Sequence, residues 1–286
     1  MPSSKAKTDV SHASSGAARN HRISSLFRLT HVVLPVVLLL AASLLAQFTR
    51  VEFLVLDPLF DFDSRQWWYG ESWWANTLIH EWGKNLIALI FLAAFFIWLG
   101  SWKFRRGRLP RWRYQAGYVA LAIVLTTSLV GLNKRLSNVD CPRDLAHYNG
   151  DRPFVHIFSD KPNELPHGYC FPGGHSSGAF SLLAFYFLFY PRHRRLARLS
   201  LGLVLVLGAI YAGGQWVRGA HFPSHDIWSA AIGWYVSLGL YVAYFRQRLT
   251  SERAQEHYRE KGQENHRPLE KPEIQLIERD RTRGQA

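Results

Sequence analysis

The sequence contains few cysteines, and its acidic residues are fewer than its basic ones. Each of these shortages limits the classes of protein to which the chain can belong. Two cysteines in 286 residues are too few for a small secreted domain that depends on several disulfides. The 21 acidic residues are outnumbered by 34 basic ones, and such an excess is also found in nucleic-acid-binding proteins. Apolar residues make up 48% of the chain, which excludes an intrinsically disordered protein.

The apolar residues are concentrated in the middle of the chain. No apolar run occurs before residue 29, so the N-terminus is not expected to carry a secretory signal peptide. We interpret residues 1–28 as a flexible cytoplasmic tail and residues 246–286 as a charged cytoplasmic tail. Residues 29–245 are predicted to form one membrane domain, because they hold apolar runs long enough to cross a bilayer.

The predicted fold is all-α, a bundle of six transmembrane helices. A bilayer core requires about 20 apolar residues per helix. The fourth span is shorter than that, and it is adequate only if its helix already begins near Gly174. The six predicted spans are residues 29–48, 85–100, 114–132, 176–190, 196–211 and 227–245.

The distribution of charge predicts the orientation of this bundle. The two tails and the segments around residues 101–113 and 191–198 carry 25 of the 34 basic residues but 9 of the 21 acidic ones. Cytoplasmic loops are enriched in Lys and Arg, so both termini are expected in the cytoplasm. The segments 49–84, 133–175 and 212–226 then face outward. The basic excess is thus mainly a topology signal rather than a sign of nucleic acid binding.

The outward segment 49–84 is rich in tryptophan. Its tryptophans predict an aromatic belt at the membrane interface, while the alternative is a lid that admits a lipid from the side. The five residues are Trp67, Trp68, Trp73, Trp74 and Trp82.

Polar residues that can bind and cleave a phosphate ester collect at the outward ends of three predicted spans. Glycines before His175 allow an anion to approach backbone N–H groups at a helix start. Lys134 and Arg218 can neutralise a phosphate, and two histidines can divide nucleophilic and acid–base roles. The three segments are Gly131 to Asp144, Cys170 to Gly178 and Gly214 to Asp226.

These segments resemble the three motifs of the type 2 phosphatidic acid phosphatase superfamily, which are Lys-x6-Arg-Pro, Pro-Ser-Gly-His and Ser-Arg-x5-His-x3-Asp. Lys134 and Pro142 match the first motif, although Cys141 stands at the arginine position. Arg143 or Arg135 is expected to replace that arginine. The resemblance covers roughly residues 30–245 and implies a six-span lipid phosphatase with catalytic motifs at the periplasmic ends of its helices.

The second and third motifs also depart from the family pattern. In the second motif, Gly173 replaces the serine before Gly174 and His175. In the third, Gln215 and His225 stand at the arginine and aspartate positions, and His221 matches the family's nucleophile. Arg218 and Asp226 are the nearby residues that can replace the two lost charges.

The resemblance implies a role for each matched residue. His221 would attack phosphorus, Asp226 or, as the alternative, His225 would orient it, and His175 would act as acid and base. The expected catalytic residues are His175, His221 and Asp226, and the expected substrate-binding residues are Lys134, Arg143, Gly173, Gly174, Arg218 and His225. No metal or other cofactor is expected, since seven outward histidines, including His147, His156 and His167, match no closed zinc set.

Cys141 and Cys170 lie in the same outward loop, which predicts a disulfide in an oxidising periplasm. Two free buried thiols are the alternative. A disulfide here would stabilise the protein by roughly 3–4 kcal/mol in the chain-entropy model.

We therefore expect a lipid phosphate phosphatase of a bacterial inner membrane. The outward loops lack Asn-x-Ser/Thr, in keeping with a bacterial origin. Candidate substrates are undecaprenyl diphosphate, phosphatidylglycerophosphate, phosphatidic acid and lipid A phosphates. The alternatives are a phosphotransferase with a lipid acceptor, a transporter of anionic lipids and a catalytically inactive relative. Transporter sites usually lie near the bilayer centre, whereas these groups lie at span ends.

Overall fold

A computed structural model of the protein describes residues 25–104 and 109–245, which are mostly helical. Residues 1–24, 105–108 and 246–286 lie outside the described residues, so the expectations for the two tails concern that part of the chain, except that residues 25–28 of the predicted N-terminal tail are helical. The helices are α1 (Ser25–Phe48), α2 (Val51–Leu56), α3 (Trp74–Lys103), α4 (Leu109–Leu136), α5 (Gly174–Ser181), α6 (Ala184–Phe189), α7 (Arg194–Trp216) and α8 (Pro223–Leu240).

Four of these helices, α1, α3, α4 and α7, are long and apolar enough to cross a membrane. They coincide with predicted spans one, two, three and five, so association with a membrane is supported. Helix α3 starts at Trp74, well before the predicted residue 85, because its first nine residues, Trp74–Trp82, form a π-helix that continues into the α-helix. The predicted outward segment 49–84 therefore includes the first turns of this helix.

Predicted spans four and six are not among these four helices. Span four is divided into α5 and α6, and α5 begins at Gly174 as its length required. Helix α8 buries several polar residues, among them Ser224, Asp226 and Ser229, which lowers its apolar content. The count of six membrane spans therefore stays a prediction.

Helix α5 lies at the centre of the bundle. Residues 176–181 are all buried, and the helix packs against α4, α7 and α8. A β-carbon added to Gly233 of α8 would lie 2.6 Å from the carbonyl oxygen of Phe180, so glycine allows α8 to approach α5 this closely. This packing fixes the position of α5 relative to α4, α7 and α8.

A small outer layer covers the end of the bundle where α5 and α8 begin. It contains α2, a 3₁₀ turn at Asp57–Leu59 and an antiparallel pair of short strands, β1 (Phe60–Asp61) and β2 (Gln66–Trp67). Its apolar core includes Leu56, Leu145 and Phe222. The layer is therefore packed against the loop that follows α4 and against the start of α8.

The tryptophans of this outer layer fall into two groups. Trp67 packs against Tyr148 with ring centroids 4.8 Å apart and lies beside Gly219. Trp68, Trp73 and Trp82 are 60–63% exposed. The exposed group suits the predicted interfacial belt, whereas Trp67 is a packing residue next to the motif-three turn.

The loop between α4 and α5 is fixed by a disulfide and by ion pairs. The predicted disulfide between Cys141 and Cys170 is confirmed, with Cα atoms 5.2 Å apart. Asp140 pairs with Arg152 and, at 2.6 Å, with Lys161. Two short 3₁₀ turns, Pro142–Asp144 and Ala146–Tyr148, lie within this loop. The loop thus connects the first motif to the second as one packed unit.

Candidate active site

A cavity of about 720 Å³ opens where α3, α4, α5 and α7 meet the loop between α4 and α5. Its wall combines five cations with four histidines and one acidic residue, Asp144. A wall of this charge attracts anions. The cations are Lys84, Lys134, Arg143, Arg152 and Arg218, and the histidines are His80, His167, His175 and His221.

His221 lies at this wall with its ring fixed by a carboxylate. The Nδ1 atom of His221 is 3.2 Å from Asp226 Oδ1, and both side chains are almost fully buried. A carboxylate accepts a hydrogen bond from Nδ1–H, so the lone pair of the neutral ring is on Nε2. This is the arrangement that a histidine nucleophile requires.

Asp226 is itself held by two further donors. The Ser176 hydroxyl donates to Oδ1 at 2.5 Å, and the Trp216 indole N–H donates to Oδ2 at 2.7 Å. These bonds come from α5 and from the end of α7, so three segments converge on one carboxylate. A buried carboxylate with such donors stays in place and oriented.

Gly173 provides the space for this carboxylate. A β-carbon built on Gly173 would overlap Asp226 Oδ1 and would lie 2.9 Å from His221 Nδ1. The Gly173 N–H donates to the His225 carbonyl at 2.9 Å, so it is not available to an anion. The expected amide contact from Gly173 is therefore wrong in this structure, and the residue acts through its small size.

His225 does not reach the cavity, contrary to the expectation that it binds substrate. Its side chain is 1% exposed and packs near Phe171 and Phe222, at ring distances of 5.4 and 5.7 Å. The chain thus has an aromatic-packed histidine at the family's aspartate position. Asp226, one residue later, makes the contact with His221.

His175, at the start of α5, lies across the cavity wall from this pair of residues. Its Nε2 atom is 3.0 Å from the Ile79 carbonyl, and its ring centroid is 4.9 Å from that of Tyr211. A carbonyl only accepts, so Nε2 carries a proton and Nδ1 is the atom that gains or loses the second one. His175 therefore has a defined proton-transfer atom.

The cations predicted from the motifs also line the cavity. A β-carbon on Gly174 would lie 3.2 Å from Lys134 Nζ, which places the ammonium at the start of α5. Arg143, rather than Arg135, is a lining residue. Arg143 and Arg218 line the same cavity, and burial, followed by the like charge of Arg143, lowers the pKa of Arg218 from its ordinary value. Such crowding favours a bound anion.

Several residues of this site were not identified from the sequence. His80 and Lys84 come from α3, outside the three motifs, and Ser176 and Trp216 hold Asp226 from within or beside them. Gln215, which stands at the arginine position of the third motif, is buried and lines the cavity. The one available signal was the position of His80 and Lys84 on the predicted outward side just before a span.

Within residues 25–104 and 109–245, no group of three or more His, Cys, Asp or Glu side chains could hold a metal ion. Metal independence of the reaction stays a prediction.

Comparison with known proteins gives one match. No curated protein and no solved structure matches the chain. The model of the PAP2 superfamily matches residues 115–249, the part of the chain that contributes Lys134, His175, His221 and Asp226. Over this segment, which is just under half of the chain, the protein is similar to the PAP2 superfamily.

Proposed function

We propose that the protein is an integral-membrane lipid phosphate phosphatase that works through a phosphohistidine intermediate. The similarity of residues 115–249 to the PAP2 superfamily supports phosphatase activity on phosphate esters. The observation that carries the proposal is the His221–Asp226 pair at the wall of a cavity lined by cations. A neutral histidine with an oriented lone pair beside bound positive charge is suited to attack on phosphorus.

In the first step, His221 Nε2 attacks phosphorus and the bond from phosphorus to the leaving oxygen breaks. His175 donates its Nδ1 proton to that oxygen, so the lipid departs as an alcohol or as a lipid monophosphate. Lys134, Arg143 and Arg218 stabilise the charge on the non-bridging oxygens as the transition state forms. Asp226 stabilises the positive charge that develops on His221.

In the second step, water replaces His221 on the phosphorus atom. Neutral His175 accepts a proton from the attacking water at Nδ1, and the phosphorus–nitrogen bond breaks. Inorganic phosphate leaves, and His221 recovers its lone pair. His175 returns to its protonated form, so the two steps together consume one water and leave the enzyme unchanged.

The shape of the cavity supports a lipid substrate. Ile87, Thr127 and Gly178 line it from helices α3, α4 and α5, so its wall extends from the charged end onto the sides of the membrane helices. A phosphate can bind among the cations while the hydrocarbon chain follows this wall into the bilayer. Candidate substrates are undecaprenyl diphosphate, phosphatidylglycerophosphate, phosphatidic acid and lipid A phosphates.

The remaining expectations belong to the same proposal. The protein has six spans, with α5–α6 and α8 completing the set, and lies in a bacterial inner membrane. Both termini are cytoplasmic, because the basic segments collect there, and the active site faces the periplasm. No metal takes part in the reaction.

The test is release of inorganic phosphate by the detergent-purified protein in EDTA, with each of the four lipids offered separately. Wild-type protein should release phosphate from at least one lipid, and His221→Ala and His175→Ala should each lose about 10²–10⁴-fold in rate. His193→Ala, at the far start of α7, is the matched histidine control. Tight binding without release from any lipid would contradict hydrolysis and favour transfer to a lipid acceptor or transport.

A further inference from the structure

A third histidine, His80, contacts the expected acid of the site. The His80 and His175 rings lie 4.6 Å apart with their planes inclined by 29°, and His80 also lines the cavity. His80 is in the π-helical start of α3, outside residues 115–249. It is therefore a feature of this chain that the family match does not cover.

A short chain of hydrogen bonds fixes the protonation of His80. Arg218 Nη1 donates to Gln215 Oε1 at 3.3 Å, and Gln215 Nε2 lies 3.4 Å from His80 Nδ1. Because an arginine only donates, the amide oxygen must face Arg218 and the amide N–H₂ must face His80. Nδ1 of His80 then accepts, and the ring is neutral with its proton on Nε2.

The neutral state of His80 matters for its neighbour. A charged ring at this distance would repel a second positive charge on His175, whereas a neutral ring packs against the imidazolium without that cost. Gln215 stands at the position where the family has an arginine, and here it connects Arg218 to His80. The departure in the third motif thus has a structural consequence on α3.

The surroundings of the His175 ring are formed largely by residues 79–83 of α3. The Ile79 carbonyl accepts a hydrogen bond from His175 Nε2 at 3.0 Å. Tyr211, which also contacts the ring, donates a hydrogen bond to the Gly83 carbonyl at 3.0 Å. Residues 79–83 therefore set both the orientation and the tautomer of His175. A π-helix at such a place is common at functional sites.

We propose that His80 is a positioning residue for His175: its flat ring, which Gln215 keeps neutral, packs against His175 and keeps it oriented to protonate the leaving group. This inference rests on the proposed phosphatase function. His80 itself transfers no proton to the substrate; it acts through the ring contact. The role requires a flat, neutral side chain at this position.

The experiment compares two leaving groups in His80→Ala and His80→Phe. A short-chain phosphatidic acid has an alkoxide leaving group that needs a proton, while nitrophenolate leaves p-nitrophenyl phosphate without one. His80→Ala should lower kcat for phosphatidic acid about tenfold or more, since small misplacement of a reacting group is costly, with little change in KM. The first-turnover burst of nitrophenolate should stay close to wild type.

His80→Phe keeps a neutral ring and should retain kcat within about threefold for phosphatidic acid, as the conservative replacement. His193→Ala serves as the control, since His193 immediately precedes the start of α7 and its side chain is exposed. Equal losses for both substrates in His80→Ala, including the burst, would overturn the proposal in favour of a general structural defect. An unchanged His80→Ala would overturn it as well.

A His80→Phe variant as impaired as His80→Ala would also overturn it, because the imidazole nitrogens would then be required. The parent function is judged separately on wild type and His221→Ala. If wild type releases no phosphate, or if His221→Ala retains release, the phosphatase proposal itself fails. Loss in His80→Ala alone bears only on positioning.

Discussion

Two histidines of this protein are equally buried, and only one of them is placed for chemistry. His31 and His221 are each 4% exposed, at opposite ends of the bundle. His31 packs against Phe27 and Tyr190, with ring centroids 4.2 and 4.9 Å away. His221 lies at the cavity wall. Burial alone therefore does not distinguish a packed histidine from a reactive one.

The difference lies in what bonds the two ring nitrogens. His31 Nδ1 is 3.1 Å from the Phe27 carbonyl, and its Nε2 is 2.7 Å from the Tyr186 hydroxyl, so both nitrogens are used within the protein. His221 has a carboxylate at Nδ1 and a cavity beside the ring. A buried histidine is suited to react when one nitrogen is fixed by charge and the other is left for a ligand.

The largest expected effect comes from removing the partner of each histidine in turn. Asp226→Asn keeps the shape of the side chain, but its amide N–H₂ turned toward Nδ1 would shift the His221 proton to Nε2. We expect a loss on the order of 10³-fold in kcat. Tyr186→Phe should leave kcat unchanged and should cost about 1–3 kcal/mol of stability, because His31 Nε2 loses its donor.

Phosphate release and thermal unfolding in detergent would measure the two effects. If Tyr186→Phe lowered kcat as strongly as Asp226→Asn, the two histidines would not differ in the way the structure indicates. Preserved activity in Asp226→Asn would remove the orienting role of Asp226.

A smaller effect is expected when the space behind the reactive pair is filled. Gly173→Ser restores the residue of the family motif, yet its β-carbon would overlap Asp226 Oδ1. We expect kcat to fall about 10²-fold, because Asp226 and His221 must shift together. In Gly174→Ala the new β-carbon meets only the flexible end of Lys134, at 3.2 Å, and the loss should stay below about tenfold.

The measurement is kcat for both variants beside wild type, with unfolding temperatures to confirm that each folds. A Gly173→Ser enzyme more active than Gly174→Ala would mean that the carboxylate tolerates displacement. The packing argument for the motif departure would then be wrong.

The smallest effect concerns the cost in stability of ionising a buried carboxyl group, Glu52, in the outer layer. Glu52 of α2 is 4% exposed and accepts the Ser224 N–H at 3.0 Å. Burial raises its pKa from 4.5 to about 7. Because the folded pKa lies above the unfolded one, stability from this group is fully present below pH 4.5 and is lost as pH rises toward 7.

Glu52→Gln keeps an oxygen for the Ser224 N–H but does not ionise. It should therefore be more stable than wild type at pH 8, by at most about 3 kcal/mol, and nearly equal to it at pH 5. Unfolding temperatures at the two pH values would show this. A variant that gains equally at both pH values would contradict the buried-carboxyl explanation.

The general architecture could be predicted because membrane helices are specified by local composition. Four of the six predicted spans coincide with long apolar helices, and the only two cysteines pair as expected. The start of α3 could not be predicted in the same way, since Trp74–Trp82 combines polar and aromatic residues. This segment packs against α7, and a contact between segments far apart in sequence is not predicted by a local pattern.

Part of the site could also be read from the motifs. Lys134, His175 and His221 occupy motif positions and line one cavity. The motif pattern does not choose between His225 and Asp226, which are adjacent on a helix and project about 100° apart. That angle decides which one faces His221 and which one faces Phe171.

The sequence by itself determined the apolar helices, the disulfide and the polar groups at the predicted outward ends. These follow from composition and from the spacing of residues close along the chain. The tertiary structure decided that Asp226 contacts His221, that Gly173 leaves room for this carboxylate and that His80 lines the same cavity from α3. Those relations depend on distances of a few ångströms between segments far apart in sequence, and packing alone sets them.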